Sequence, residues 1–82
     1  MTEDDILAQL REIVAVNFEI APERLEAGAA LRADLGLDSL ELVDLTFFIK
    51  RAFGIQKPPG AYRGLETLGD VAAFVRAHAP ES

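Results

Sequence analysis

Three short polar patterns along the chain mark places where a helix can begin. In each, a residue with a side-chain oxygen stands three positions before a carboxylate: Thr2 and Asp5, Asp38 and Glu41, Thr67 and Asp70. This spacing is typical of a capping box, which satisfies the free N–H groups of a first helical turn. Apolar residues recur at intervals of three and four after each pattern, the period of an amphipathic helix. The sequence therefore predicts main helices at about residues 3–17, 39–53 and 67–78.

Two connections separate these helices, and neither shows the alternation of a β-strand. Residues 19–37 contain proline and glycine, and their spaced apolar residues predict an ordered loop, with room for one short turn at Pro22. Residues 55–66 hold two prolines and two glycines, so they allow only a turn or two of helix. We therefore predict an all-α, small four-helix bundle: three main helices, one short irregular helix, and a long ordered loop between the first two. Because the chain has only 82 residues, we expect a single domain over 1–82.

The charge and the residue types exclude several classes of function. Residues 1–44 hold eleven acids and three arginines, and residues 45–82 hold three acids and five basic residues, which gives −8 and +2 and sums to −6. This acidity argues against nucleic acid and favours basic partners. The absence of cysteine excludes disulfides and cysteine-based metal sites. No apolar run is long enough to span a membrane, and the acidic start is unlike a secretory signal, so we expect a cytoplasmic protein.

The predicted second helix carries two apolar faces, although a surface helix needs only one. One face consists of Leu42, Leu45, Ile49 and Phe53, and the other, on roughly the opposite side, of Leu40, Val43 and Phe47. Three charged residues flank the second face: Glu41, Asp44 and Arg51. Either this helix is central and packed on all sides, or the second face docks onto a partner with an apolar groove and a basic edge.

Ser39 stands at the first position of the same helix, directly after the capping Asp38. One interpretation is an ordinary helix-start serine. The other is a modification site, since a helix N-terminus favours a phosphate through its free N–H groups and its dipole. Residues 34–43 read Asp-Leu-Gly-Leu-Asp-Ser-Leu-Glu-Leu-Val, which closely resembles the phosphopantetheine attachment motif of acyl carrier proteins. The resemblance covers nearly the whole chain, including the long loop, the Phe53 that closes the second helix and the start of the last helix.

This resemblance implies a carrier without catalytic activity of its own. A phosphopantetheinyl transferase would attach 4′-phosphopantetheine from coenzyme A to the Ser39 oxygen and release adenosine 3′,5′-bisphosphate. Asp38 would help that enzyme and its magnesium engage the site. The arm's thiol would then carry acyl or ketide groups as thioesters between a ketosynthase, an acyltransferase and other acyl-processing enzymes. The partner-facing residues implied by the family are Leu40, Glu41, Val43, Asp44 and Phe47. We expect a monomer with no resident metal.

Two departures from the family pattern bear on the pathway. Lys50 and Arg51 stand near the end of the second helix, where carriers of fatty-acid synthesis usually keep acids, and we include both in the partner face. Residues 57–64, Lys-Pro-Pro-Gly-Ala-Tyr-Arg-Gly, lie in the region of the usual short third helix and are unusual in their prolines, glycines and aromatic residue. These features favour a carrier dedicated to a polyketide, polyene or specialised lipid pathway. The alternatives are a housekeeping fatty-acid carrier and an unmodified helical adaptor.

Overall fold

Three α-helices and two short 3₁₀ turns follow one another in the computed structural model, which describes residues 2–80. The helices are α1 (Glu3–Phe18), α2 (Ser39–Phe53) and α3 (Leu68–His78), and the 3₁₀ turns are Pro22–Arg24 and Pro59–Tyr62. Over the described residues, the only β-type pairing is an isolated antiparallel bridge between Ala30 and Thr67. The predicted all-α bundle is confirmed, with the Pro59–Tyr62 turn as its short irregular helix.

All three predicted capping boxes form, so each main helix begins where its polar pattern indicates. In α1 the Thr2 hydroxyl accepts a hydrogen bond from the Asp5 N–H at 3.1 Å, and the Asp5 carboxylate accepts one from the Thr2 N–H. Thr67 and Asp70 repeat this exchange at α3. Gly54 ends α2 in the left-handed conformation, with φ +71°. That conformation is costly for residues with a side chain, which is why glycine is favoured there.

The core lies between one face of each helix and the apolar residues of the long loop. Helix α1 packs more extensively against α3 than against α2. Within residues 2–80, nine large side chains are almost completely buried: Ile6, Leu10, Val14, Leu25, Ile49, Ile55, Leu68, Val71 and Val75. Two of these, Leu25 and Ile55, belong to the connections rather than to the helices, so the loops contribute directly to the core.

Backbone hydrogen bonds tie the long loop to the beginning of α3. The Leu31 N–H donates to the Glu66 carbonyl at 2.8 Å, the Leu68 N–H donates to the Ala29 carbonyl at 3.1 Å, and Gly69 bonds to residue 27 in the same way. We call these three bonds the loop clasp. Gly69 approaches so closely that a Cβ there would lie 3.0 Å from the backbone oxygen of residue 27. The clasp explains how a long connection stays ordered in so small a protein, because its polar groups are paired.

Candidate functional site

The chain approaches Ser39 through three residues whose positions are fixed by burial and by backbone hydrogen bonds. Leu35 and Leu37 are only 6% and 3% exposed, and they anchor the segment on either side of Gly36. The Leu37 N–H donates to the Leu31 carbonyl at 3.0 Å. Gly36 has φ +70°, a left-handed conformation that side chains disfavour. Loop, turn and helix α2 therefore meet in one defined geometry directly before Ser39.

Asp38 and Glu41 cap α2 and leave Ser39 accessible. The Asp38 carboxylate accepts a hydrogen bond from the Glu41 N–H at 2.8 Å, and the Glu41 carboxylate accepts one from the Asp38 N–H at 3.0 Å. Ser39 is the first residue of the helix, and its side chain is exposed. The first N–H groups of a helix have no partner within it, so the turn that begins at Ser39 is suited to an anion.

The second apolar face of α2 is open to solvent. Leu40 is 78% exposed, Phe47 51% and Val43 40%, whereas Leu45 and Ile49 on the opposite side are buried. The alternative of a central helix packed on all sides is therefore wrong. Four charged residues occur along the same helix: Glu41 is half-buried, and Asp44, Lys50 and Arg51 are exposed. The structure thus presents an exposed apolar stripe of three residues, which we call the α2 stripe, on a helix acidic at its start and basic at its end.

A groove runs beside α2, on the side that faces the Pro59–Tyr62 turn. It has a volume of about 390 Å³, and Val43, Arg32 and Arg63 contribute to its lining. A chamber of about 60 Å³ adjoins the groove and shares four lining residues with it: Leu42, Thr46, Tyr62 and Leu65. Sequence reasoning missed this site. Its only advance signal was the unusual Pro/Gly-rich segment around Tyr62.

Two polar side chains reach the chamber wall, and they differ in how their hydroxyl groups are satisfied. The Thr46 hydroxyl donates to the Val43 carbonyl at 2.6 Å within α2. The Tyr62 hydroxyl is buried and has no hydrogen-bond partner among the described residues. Burial raises the pKa of Tyr62, so the phenol stays protonated at neutral pH.

Two further residues with ionisable side chains, His78 and Asp34, contact other parts of the protein. His78 is exposed near the end of α3, with its ring centroid 4.4 Å from that of Phe74. The Asp34 carboxylate accepts a hydrogen bond from the Ala30 N–H at 2.7 Å and so shapes the loop. Between residues 2 and 80, no three His, Asp or Glu side chains group in a way that could hold a metal ion. Over the same range, no helix is both long and apolar enough to cross a membrane.

Comparisons with known proteins agree with this geometry. A family model for the phosphopantetheine attachment site matches residues 8–75. The chain is 36% identical to acyl carrier protein 2 of Ralstonia nicotianae, covering 94% of this chain and 95% of that protein. It is 31% identical to the acyl carrier protein of Prochlorococcus marinus, over 94% and 96% of the two chains, and 35% identical to that of Caulobacter vibrioides, over 87% and 91%. The chain therefore belongs to the acyl carrier proteins, whose members carry acyl groups on covalently attached 4′-phosphopantetheine and are not themselves catalysts.

Proposed function

We propose that Ser39 is the residue to which 4′-phosphopantetheine is attached. The observation that carries this proposal is the exposed hydroxyl of Ser39 at the first position of a capped helix, inside the region matched by the attachment-site family. When bound, the group supplies a flexible arm ending in a thiol that holds an acyl group as a thioester. The chain itself contributes the Ser39 oxygen that becomes part of the phosphodiester.

The surroundings of Ser39 suit a phosphodiester. The helix begins at this residue, and the positive end of its dipole stabilises an anion by about 0.3–1 kcal/mol at an exposed position. Asp38 uses one carboxylate oxygen to cap the Glu41 N–H, so this side chain both fixes the helix start and stays exposed to an approaching enzyme. We propose that a phosphopantetheinyl transferase engages Asp38 together with its own magnesium ion.

The α2 stripe is the surface we propose for docking of partner enzymes. Exposed Leu40, Val43 and Phe47 form an apolar contact that begins one residue after the attachment site, so an enzyme bound there would also reach the arm. Glu41 and Asp44 favour a partner with a basic rim. Partner enzymes of this kind include the transferase, a ketosynthase and an acyltransferase.

At the level of the pathway, we propose a carrier dedicated to polyketide, polyene or specialised lipid synthesis, working as a single domain in the cytoplasm. The support is the basic end of α2, where exposed Lys50 and Arg51 would oppose docking to a uniformly basic patch. The Pro/Gly-rich segment 57–64, which supplies Tyr62 to the chamber, is the second departure.

The attachment proposal is tested by intact mass spectrometry after incubation with coenzyme A and a broad-specificity transferase. The unchanged protein and a Ser82→Ala variant should each gain one phosphopantetheine, and Ser39→Ala should gain none. Ser82 is the chain's other serine and serves as the matched control. Because Asp38 provides the cap, Ser39→Ala should change the free energy of unfolding by no more than about 0.5 kcal/mol. Labelling of Ser39→Ala would overturn the assignment, and an unlabelled wild-type protein would favour the adaptor.

The pathway proposal needs a different measurement. Protein isolated from its native host should carry an acyl group, and the mass of that group identifies the cargo. A ketide, polyene or otherwise modified chain would support the dedicated pathway. A series of saturated chains growing by two carbons would instead indicate the housekeeping fatty-acid carrier.

A further inference from the structure

The hydroxyl group of Tyr62 is the one buried side-chain polar atom between residues 2 and 80 that has no hydrogen-bond partner. Its ring packs against Phe74, with the ring centroids 4.5 Å apart. A phenylalanine at this position would keep that ring contact and avoid burying an unpaired polar group. Buried polar groups without a hydrogen-bond partner destabilise a fold, so the unpaired Tyr62 hydroxyl requires an explanation.

The chamber beside this hydroxyl is small and otherwise apolar. Apart from Thr46 and Tyr62, its lining is made of aliphatic side chains, chiefly from Leu42, Leu45 and Ile49. Its volume of about 60 Å³ is roughly that of two water molecules in the liquid, so it admits a short group and not a long chain. Since Thr46 already donates its proton within α2, Tyr62 offers the unused donor in this wall.

The groove that adjoins the chamber extends to within one helical turn of the proposed attachment site. Val43, which lines the groove, lies one helical turn after Ser39 on the same side of α2, about 6 Å along the helix axis. A phosphopantetheine arm attached at Ser39 can therefore lie along the groove and bring its terminal acyl group to the chamber. Arg32 and Arg63 make the outer groove polar, whereas the inner chamber offers a single free donor among apolar walls.

We propose that Tyr62 is a specificity-determining residue that favours acyl cargo bearing a hydroxyl or keto oxygen over fully saturated cargo. The tyrosine hydroxyl donates a hydrogen bond to that oxygen, while the aliphatic wall contacts the carbon chain. A saturated chain leaves the hydroxyl unpaired and gains only the apolar contacts. This inference rests on the attachment proposed at Ser39, and it adds the chemical class of the cargo.

The test compares two short cargoes in two proteins. The transferase loads the wild-type protein and Tyr62→Phe from butyryl-coenzyme A or 3-hydroxybutyryl-coenzyme A, and cleavage of the thioester by hydroxylamine is followed by intact mass. A buried acyl group is protected from this reagent. The rate for butyryl divided by the rate for 3-hydroxybutyryl should be roughly two- to tenfold higher in the wild type than in Tyr62→Phe, the range expected of one hydrogen bond. Comparing ratios cancels the intrinsic difference in reactivity between the two thioesters.

Val16→Ala is the matched control, since Val16 is exposed on α1 and lines neither groove nor chamber. It should give the wild-type ratio. Without cargo, Tyr62→Phe should be at least as stable as the wild type, because the unpaired hydroxyl is removed. Equal ratios in wild type and Tyr62→Phe would overturn the inference, and so would a clear loss of stability in unloaded Tyr62→Phe. Failure of every protein to load would overturn the attachment proposal itself, and the cargo inference would fall with it.

Discussion

Replacing Gly36 with alanine is expected to destabilise the protein even though nothing stands in the way of the added methyl group. A Cβ built at Gly36 has no heavy atom within 4 Å outside its immediate neighbours. The cost comes from the backbone, because φ is +70° and a residue with a side chain loses about 1–2 kcal/mol in this region. Alanine also lowers the conformational entropy of the unfolded chain, and this effect stabilises the folded protein by about 0.4–1 kcal/mol.

Gly36→Ala should therefore lower the free energy of unfolding by about 1 kcal/mol. In a domain of this size, such a change lowers the melting temperature by about 4–8 °C. Gly28 offers a matched control in the same loop, since it has open space around it and no positive φ. Gly28→Ala should stabilise the protein by about 0.4–1 kcal/mol. Asparagine tolerates the left-handed region better than alanine, so Gly36→Asn should lower the free energy of unfolding less than Gly36→Ala does.

Urea unfolding of the three variants and the wild type measures these free energies, and transferase loading of the same samples reports on the site. Because Gly36 sets the approach to Ser39, Gly36→Ala should also slow loading, whereas Gly28→Ala should not. If Gly36→Ala were as stable as Gly28→Ala, the left-handed turn would not constrain the site and the reasoning would be refuted.

Three further predictions concern α2 and the start of α3. Lys50→Glu combined with Arg51→Glu should raise turnover with housekeeping fatty-acid enzymes, and it should slow association with the dedicated partner in a salt-dependent way. If the rates with both sets of enzymes are unchanged at low salt, Lys50 and Arg51 have no role in partner choice. The backbone N–H groups of Glu66 and Thr67 donate to the Asp70 carboxylate and lower its pKa. Ionised Asp70 therefore stabilises the folded protein above pH 3.8, its ordinary pKa, and this stabilisation is lost as the pH falls through the lower pKa of the folded state. Asp70→Asn should flatten that acid-range decline in unfolding free energy, and an unchanged slope would contradict this. Gly69→Ala should lower the free energy of unfolding by about 1 kcal/mol, since the new Cβ meets the Ala27 oxygen at 3.0 Å. A higher free energy of unfolding, measured in urea, would show that the loop moves aside to accommodate the methyl group.

The beginnings of the helices could be predicted from sequence because their signals are local. Each capping box involves residues only three positions apart, and α2 matches its predicted bounds at both ends. The end of α1 lacked such a signal. Glu19 adopts the left-handed conformation there, with φ +54°, at a position where glycine would have been expected. The burial of Leu25 explains how the chain is held after this turn.

The placement of Ser39 at the start of α2 could be predicted from sequence, whereas the groove, the chamber and the loop clasp could not. These features depend on contacts between residues far apart in the chain, such as Leu31 with Glu66. Periodicity showed that α2 has two apolar faces, but it could not decide whether the second face is packed as well or open to solvent. Only the packed structure shows that Leu45 is buried and Phe47 exposed.

The loop clasp closes one long segment of the chain into a loop, and this affects where the protein can vary in length. Residues 27–31 and 66–69 hold the two ends of one closed loop together, and Ser39, the α2 stripe and Tyr62 all lie between them. The entropy of closing a loop grows only with the logarithm of its length, about 0.6 kcal/mol for each doubling. Adding or deleting residues in the exposed segment 56–61 would therefore change the free energy of folding only slightly. Length variation there could reshape the chamber wall while the turn before Ser39, fixed by its own contacts, stays in place.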